Sequence, residues 1–161
     1  MNTLQVNGVL TKHVKDFQGI YPIGFLPITL IWPSIIVINF DKHYMPGSHW
    51  VAACFSDSGY AEYFDTYCLQ QYKLEIMSYL HRHSISLTFN RHGLQGLTSE
   101  ACDHYCYIYT LHRPKGLSTT SFVNMCLPAR YNCNDIKAIC MFRAQFVECP
   151  SCSHLEQQQQ S

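Results

Sequence analysis

The sequence has no uninterrupted run of about 18 apolar residues, the length that a helix needs to cross a bilayer. Its most apolar segment, residues 23–40, is broken by Pro27 and Pro33. A basic stretch followed by an apolar core is also missing from the first residues, so no secretory signal is expected. These absences predict a protein of the cytoplasm or nucleus that does not associate with membranes.

An excess of charge of either sign is missing as well, because 11 Lys and Arg balance 11 Asp and Glu. A neutral chain gives no support for the basic surface that nucleic acid binding requires. Complete disulfide pairing is excluded, since the nine cysteines are an odd number. Without a secretory signal, the cysteines are expected to be reduced thiols.

The composition that remains is that of a folded protein. The 161 residues are 47% hydrophobic and 14% aromatic, which suits one domain with a packed core. No internal repeat or linker divides the chain. We therefore predict a single domain over residues 1–154, a monomer, followed by a disordered glutamine-rich tail over residues 155–161.

Secondary structure follows from periodicity and turn residues. Turn signals such as Asn7-Gly8, Pro22 and Pro27 predict an irregular segment before Pro33. Ser99 is expected to cap the helix that precedes Pro114. The patterns predict strands over residues 35–40, 49–55, 60–64 and 85–89, with a hairpin turn over 56–59, and helices over 70–83, 100–112, 118–127 and 134–146.

Four residues in separate segments have side chains suited to one reaction. His49 begins a strand, Asp65 ends the next, Gln95 lies in a polar loop, and Cys102 lies in the first turn of a helix. Taken singly, each has an ordinary structural explanation, such as a turn-forming aspartate or a small buried thiol. A tight hairpin, however, brings His49 and Asp65 side by side.

Together these residues supply what thiol-based hydrolysis of a peptide bond needs. A thiol that attacks a carbonyl requires an imidazole to accept its proton, which is the role of His49. Asp65 would orient that imidazole. The Gln95 side chain and the Cys102 backbone N–H would stabilise the oxyanion. The positive end of the helix is expected to favour the thiolate of Cys102.

The same residue order resembles the adenovirus protease family. That family has a His-Trp strand, an acid about one hairpin later, and a Q-G-x-x-S-x-x-C motif that opens the central helix; residues 95–102 read QGLTSEAC. Cys106 also matches a cysteine found one turn later. Residues 60–67 (YAEYFDTY) resemble the proteases encoded by Polinton (Maverick) transposons, and the SUMO-deconjugating proteases are more distantly similar. The similarity extends from about Gly19 to about His112.

The resemblance implies an α+β fold of the papain-like type, with a central, mostly antiparallel sheet packed against the nucleophile helix. It implies a cysteine endopeptidase that cleaves protein or peptide substrates, of the capsid-precursor kind, at Gly-containing sites. Trp50 and Gly96 would contact the substrate. No cofactor and no metal are expected.

Three departures from the family pattern leave alternatives open. Asp103 and Cys68 stand where most relatives have glycine, so a decayed copy that binds peptides without cleaving them is one alternative. Ser84 stands where adenoviral enzymes have the cysteine that joins an activating peptide. An isopeptidase acting on SUMO or another ubiquitin-like protein is the second alternative.

A zinc-binding module is a third alternative, from another class of protein. Cys149 and Cys152 form a C-x-x-C pair followed by His154, and Cys133 and Cys140 lie upstream. The spacing lacks a clean second pair, which makes loose terminal thiols the preferred interpretation.

Overall fold

The computed structural model describes residues 3–40, 49–69, 74–127 and 129–144, and the fold is a mixed α/β architecture. In chain order its elements are α1 (Thr3–His13), β1 (Phe17–Pro22), a 3₁₀ turn (Ile23–Phe25), β2 (Ser34–Asn39), β3 (Trp50–Phe55), β4 (Tyr60–Phe64), α2 (Leu74–Arg82), β5 (Ser86–Phe89), α3 (Cys102–His112), a second 3₁₀ turn (Arg113–Lys115), α4 (Thr119–Asn124) and α5 (Tyr131–Arg143).

The five strands form one sheet in the order β1-β2-β3-β4-β5. The central pairs β2/β3 and β3/β4 are antiparallel, whereas the outer pairs β1/β2 and β4/β5 are parallel. The expectation of a mostly antiparallel sheet is therefore wrong, because the pairings are evenly divided. The physical reason is that β1 and β5 join their neighbours through crossovers, which produce parallel pairs, while a hairpin joins β3 to β4.

Alternation along the strands divides the core into two layers, because successive side chains point to opposite faces of a sheet. On one face, Ile35 and Val37 of β2 pack with α1, α3, α4 and α5. On the other face, Ile36 and Ile38 pack with α2. Both faces are covered, so β2 is the continuous apolar run that its sequence shows.

Helix α3 lies inside the first layer and packs against β3, α1 and α5. Its residues 105–111 are all buried, including three tyrosines. The first residue of this buried helix is Cys102. The prediction that the Cys102 helix packs against the sheet is confirmed.

The segment before Pro33 is more ordered than predicted. It contains α1 and β1, and Val6, Leu10 and Val14 of this region are each at most 2% exposed. Their spacing of four residues marks one helical face. The Asn7-Gly8 pair suggested a turn, but a side chain at Gly8 would meet nothing within 4 Å, so this pair occupies the outer side of α1.

The predicted strands, the hairpin and the later helices are confirmed to within a few residues. One helix start differs: α3 begins at Cys102, its N-cap is Ala101, and no side chain caps it. The hydroxyl of Ser99 instead accepts from the Ala101 N–H at 3.2 Å. No helix in the described ranges is long and apolar enough to cross a membrane. The proposed tail, residues 155–161, and the end of the proposed domain lie outside the described residues.

Candidate active site

His49 and Asp65 form a buried pair at one end of the antiparallel hairpin. His49 immediately precedes β3 and Asp65 immediately follows β4, so the pairing of these strands places both residues at the same end. The His49 Nε2 and Asp65 Oδ1 atoms are 2.8 Å apart, and the residues are 7% and 1% exposed. The structure thus brings together the two residues that the hairpin predicted.

The hydrogen bond to Asp65 determines which nitrogen of His49 is available for chemistry. Because a carboxylate only accepts, Nε2 must donate, and in the neutral imidazole Nδ1 is then the acceptor. Nδ1 is buried and has no hydrogen-bond partner among the described residues. The ring is held by Phe40 and Tyr67, whose ring centroids lie 4.9 and 4.8 Å from its own. Within the described part of the chain, His49 therefore presents a base that accepts no hydrogen bond, in a fixed orientation.

Asp65 is itself held by the turn that follows it. Its Oδ1 also accepts from the Tyr67 N–H at 2.8 Å, and its Oδ2 accepts from the Leu69 N–H at 3.1 Å. Its backbone is fixed by Asn90, which accepts from the Asp65 N–H at 2.9 Å and donates to the Asp65 carbonyl at 2.7 Å. The carboxylate that orients His49 has no freedom to rotate away without breaking these bonds.

Cys102 lies against the same end of β3. Cys102 is 6% exposed, and the backbone N–H groups of Trp50, the residue that follows His49, and of Cys102 and Asp103 act to lower the pKa of its thiol. The effect of the Trp50 N–H indicates that the thiol lies near the first residue of β3, which directly follows His49. No hydrogen bond joins Cys102 to Nδ1 of His49 in the described structure.

The thiol of Cys102 is not acidified. Burial raises its pKa to about 11, the backbone N–H groups oppose that rise, and the Asp103 carboxylate adds to it. The N–H groups at the start of the helix lower the pKa as expected, but desolvation outweighs them, so the net pKa of the thiol is raised. At neutral pH Cys102 is a thiol, and its use as a nucleophile requires a base.

Asp103 contributes a negative charge beside the thiol. Burial acts to raise its pKa, but the adjacent His104 holds the pKa of Asp103 below its ordinary value. The Asp103 Oδ1 and His104 Nδ1 atoms are 2.7 Å apart. Asp103 is consequently ionised at neutral pH, which opposes ionisation of its neighbour.

Gln95 lies beside this group, in the loop before α3, and its amide is already engaged. Thr66 donates to Oε1 at 2.7 Å, and Nε2 donates to the Ser99 carbonyl at 2.7 Å and to the Tyr67 hydroxyl at 3.1 Å. The loop is supported from below, because Asn134 of α5 donates to the Leu94 carbonyl at 3.2 Å. The amide that was predicted to stabilise the oxyanion therefore contacts protein groups in this structure.

The two residues predicted to bind substrate differ in their surroundings. Trp50 is 7% exposed and its side chain belongs to the core, so its contribution to the site is its backbone N–H. Gly96 is partly exposed, and an added Cβ would lie 3.5 Å from Cβ of Tyr131, an ordinary contact. Packing therefore does not by itself require glycine at this position.

Sequence reasoning missed Thr66, Tyr67 and Asn90, which hold the predicted residues in place. Thr66 and Tyr67 directly follow Asp65, and this adjacency was the available signal. Asn90 is far from Asp65 in sequence and gave none. Cys106, the second cysteine of α3, is 1% exposed and its pKa is raised well above the ordinary value by burial, which suits a core residue.

Within the part of the chain that the structure describes, no three His, Cys, Asp or Glu side chains lie close enough to hold a metal ion. The zinc alternative depends on Cys149, Cys152 and His154, which lie outside the described residues. Cys102, Cys106, Cys133 and Cys140 are free thiols in the structure.

The fold and the site thus consist of a mixed sheet and a buried histidine–aspartate pair beside a helix-start cysteine. No protein-family model and no curated protein sequence matches this chain. Among solved structures, the chain is similar to the ASFV pS273R protease, with a TM-score of 0.46 and 20% sequence identity. That match covers 63% of this chain and 43% of the protease, so it extends over less than half of the neighbour's length. A similarity at this level does not carry the neighbour's activity to this chain.

Proposed function

We propose that this protein is a cysteine endopeptidase that hydrolyses peptide bonds through an acyl-enzyme. The observation that carries the proposal is the buried His49–Asp65 pair at 2.8 Å, whose Nδ1 has no hydrogen-bond partner among the described residues, beside a thiol whose pKa the Trp50 N–H acts to lower. An unpaired buried nitrogen costs free energy, so its retention favours a chemical role.

In the proposed reaction the Cys102 thiol gives its proton to Nδ1 of His49 as its sulfur attacks the substrate carbonyl carbon. The C–N bond then breaks, and the leaving amine takes the proton from Nδ1. Water attacks the resulting thioester, its proton passes to Nδ1, the C–S bond breaks, and the sulfur regains a proton. Hydrogen bonds between nucleophile and base are often long without substrate, which is consistent with the unpaired Nδ1.

The raised thiol pKa makes the histidine essential to this scheme. With a pKa of about 11, very little Cys102 is ionised at neutral pH. The Asp65 carboxylate stabilises the imidazolium that forms when the proton moves. The oxyanion would be stabilised by the Cys102 N–H and by Gln95.

The sequence resemblance extends the proposal to a substrate class. Residues 95–102 resemble the opening of the nucleophile helix in the adenovirus protease family, and residues 60–67 resemble Polinton proteases. We infer that the substrates are precursor proteins of the capsid kind, which the protein cleaves at Gly-containing sites. Cleavage of an isopeptide-linked ubiquitin-like protein instead would favour the isopeptidase alternative.

The test is mass spectrometry of a library of Gly-containing peptides incubated with the protein and with Cys102→Ala. New termini after small residues, present with the protein and absent with the variant, are expected. A Cys106→Ala variant serves as the matched control, since it removes a thiol one helical turn away. Equal cleavage by the protein and Cys102→Ala would refute the proposal.

A second candidate function is peptide binding without turnover. Three observations favour it: the raised pKa of Cys102, the ionised Asp103 beside it, and a Gln95 amide already engaged by the protein. A labelling experiment with a thiol-reactive peptide probe separates the two functions. Rapid, peptide-dependent labelling of Cys102 supports the enzyme, and reversible binding without labelling supports the second candidate.

A further inference from the structure

Tyr67 contacts three of the four residues that the proposed mechanism uses. Its backbone N–H donates to Asp65 Oδ1 at 2.8 Å, and its ring centroid lies 4.8 Å from that of His49. Its hydroxyl accepts from Gln95 Nε2 at 3.1 Å and donates to the Ser99 carbonyl at 2.9 Å. The ring of Tyr67 thus lies between the histidine and the loop that precedes Cys102.

The hydroxyl closes a small triangle of polar atoms. Gln95 Nε2 lies 2.7 Å from the Ser99 carbonyl oxygen and 3.1 Å from Tyr67 Oη, and these two oxygens are 2.9 Å apart. The two acceptors are therefore about 60° apart as seen from Nε2. The two hydrogens of a planar amide diverge by about 120°, so they cannot both point straight at these acceptors. One hydrogen shared between them satisfies the triangle, as three-centre bonds do elsewhere, and leaves the second for another acceptor.

The orientation of the Gln95 amide is fixed from its other side. The Thr66 hydroxyl donates to Oε1 at 2.7 Å, which requires the NH₂ group to face Tyr67. Burial and the nearby Cys102 raise the pKa of Tyr67, so its hydroxyl stays protonated and keeps donating to Ser99. The triangle therefore persists across the neutral and mildly basic range.

We propose that Tyr67 is a positioning residue for the hydrolysis proposed above: its ring holds the His49 imidazole, and its hydroxyl turns the Gln95 amide so that one N–H is available to the oxyanion. The role of the hydroxyl at Gln95 rests on the proposed function. The role of the ring concerns only the state of His49 and Cys102, and it is testable without a substrate.

The hydroxyl is tested with Tyr67→Phe, which keeps the ring and the backbone N–H. Loss of one hydrogen bond predicts a three- to tenfold fall in kcat with little change in KM. If the hydroxyl acts through Gln95, the double variant Tyr67→Phe/Gln95→Ala is no slower than Gln95→Ala alone. Tyr60→Phe removes a tyrosine hydroxyl from an exposed position at the other end of β4 and is the matched control. An unchanged kcat in Tyr67→Phe, or losses that multiply in the double variant, would overturn the proposed role of the hydroxyl.

The ring is tested by alkylation of Cys102 with iodoacetamide at neutral pH. Loss of the aromatic contact in Tyr67→Leu predicts a two- to tenfold slower alkylation of Cys102, a change of the same sign as that expected for His49→Ala. Tyr67→Phe keeps the ring and is expected to be alkylated at the original rate. Circular dichroism verifies that each variant is folded, and Tyr67→Met gives a second ring-free variant if the leucine variant is not. Original rates in both ring-free variants would overturn the assignment. If the protein itself cleaves no peptide, the proposed function fails, and alkylation still decides whether Tyr67 positions His49.

Discussion

Replacing Asp65 with asparagine changes one atom of the carboxylate and tests most of the site. Oδ1 accepts from His49 Nε2 and from the Tyr67 N–H, both at 2.8 Å, and Oδ2 accepts from the Leu69 N–H at 3.1 Å. An asparagine that keeps its oxygen at the Oδ1 position preserves the first two bonds. Its NH₂ group then faces the Leu69 N–H, so two donors oppose each other.

The two consequences have different magnitudes. Loss of the buried bond at Oδ2, which involves a charged acceptor, predicts a decrease of about 1.5–3 kcal/mol in the free energy of unfolding. The His49 orientation survives, but a neutral oxygen stabilises the imidazolium less than a carboxylate does. A difference of roughly 1.4–2.7 kcal/mol corresponds to a kcat lower by about 10- to 100-fold. Partial activity is therefore expected.

Urea unfolding followed by circular dichroism measures the first effect, and steady-state hydrolysis of a cleaved peptide measures the second. Asp57→Asn, the same change in the exposed hairpin turn, is the matched control and is expected to alter stability by less than about 0.5 kcal/mol. Two results would refute the reasoning. One is a folded Asp65→Asn protein as inactive as His49→Ala, and the other is a variant with full activity and full stability.

Four further predictions follow from the same geometry. Cys102→Ala should abolish turnover, whereas Cys106→Ser should retain most of the kcat of a folded protein; comparable losses would mean that the nucleophile is assigned wrongly. Gln95→Ala should lower kcat by roughly 10²- to 10³-fold, and a change confined to KM would instead place Gln95 in substrate binding. Asp103→Gly should lower the Cys102 pKa, read from alkylation against pH, and raise kcat/KM, while losing about 0.3–1 kcal/mol of helix stabilisation; an unchanged pKa would make Asp103 a neutral replacement. The folded-state pKa of Cys102 is raised from 9.0 to about 11, so the contribution of the protonated thiol to stability is complete below pH 9 and is lost as the pH rises through 11. The expected loss in the free energy of unfolding is up to about 2–3 kcal/mol. Cys102→Ala should flatten this part of the pH–stability curve, measured by urea unfolding.

Local patterns in the sequence were sufficient for the central part of the fold. The apolar run 35–40 and the two β-rich runs around the turn 56–59 predicted β2, β3 and β4, because side-chain alternation and turn chemistry act over a few residues. The same hairpin predicted that His49 and Asp65 would meet. The helix pattern after Ser99 predicted a helix over residues 100–112 with Cys102 in its first turn, and α3 begins two residues later, at Cys102 itself.

Other elements depended on contacts between distant segments. The face formed by Val6, Leu10 and Val14 is visible in the sequence, but the Asn7-Gly8 pair argues for a turn until packing against α3 and β1 stabilises α1. The parallel pairings of β1 with β2 and of β5 with β4 are decided by where the crossover connections return to the sheet. No local sequence signal indicates that direction.

The sequence by itself determined which side chains are available for the chemistry and that His49 and Asp65 share one end of a hairpin, because both follow from residue type and short-range geometry. Only the tertiary structure decided that the Cys102 thiol is buried with a raised pKa, and that Thr66, Tyr67 and Ser99 engage the Gln95 amide. Burial and hydrogen-bond partners are properties of how the whole chain packs, since desolvation of one group depends on every segment that covers it.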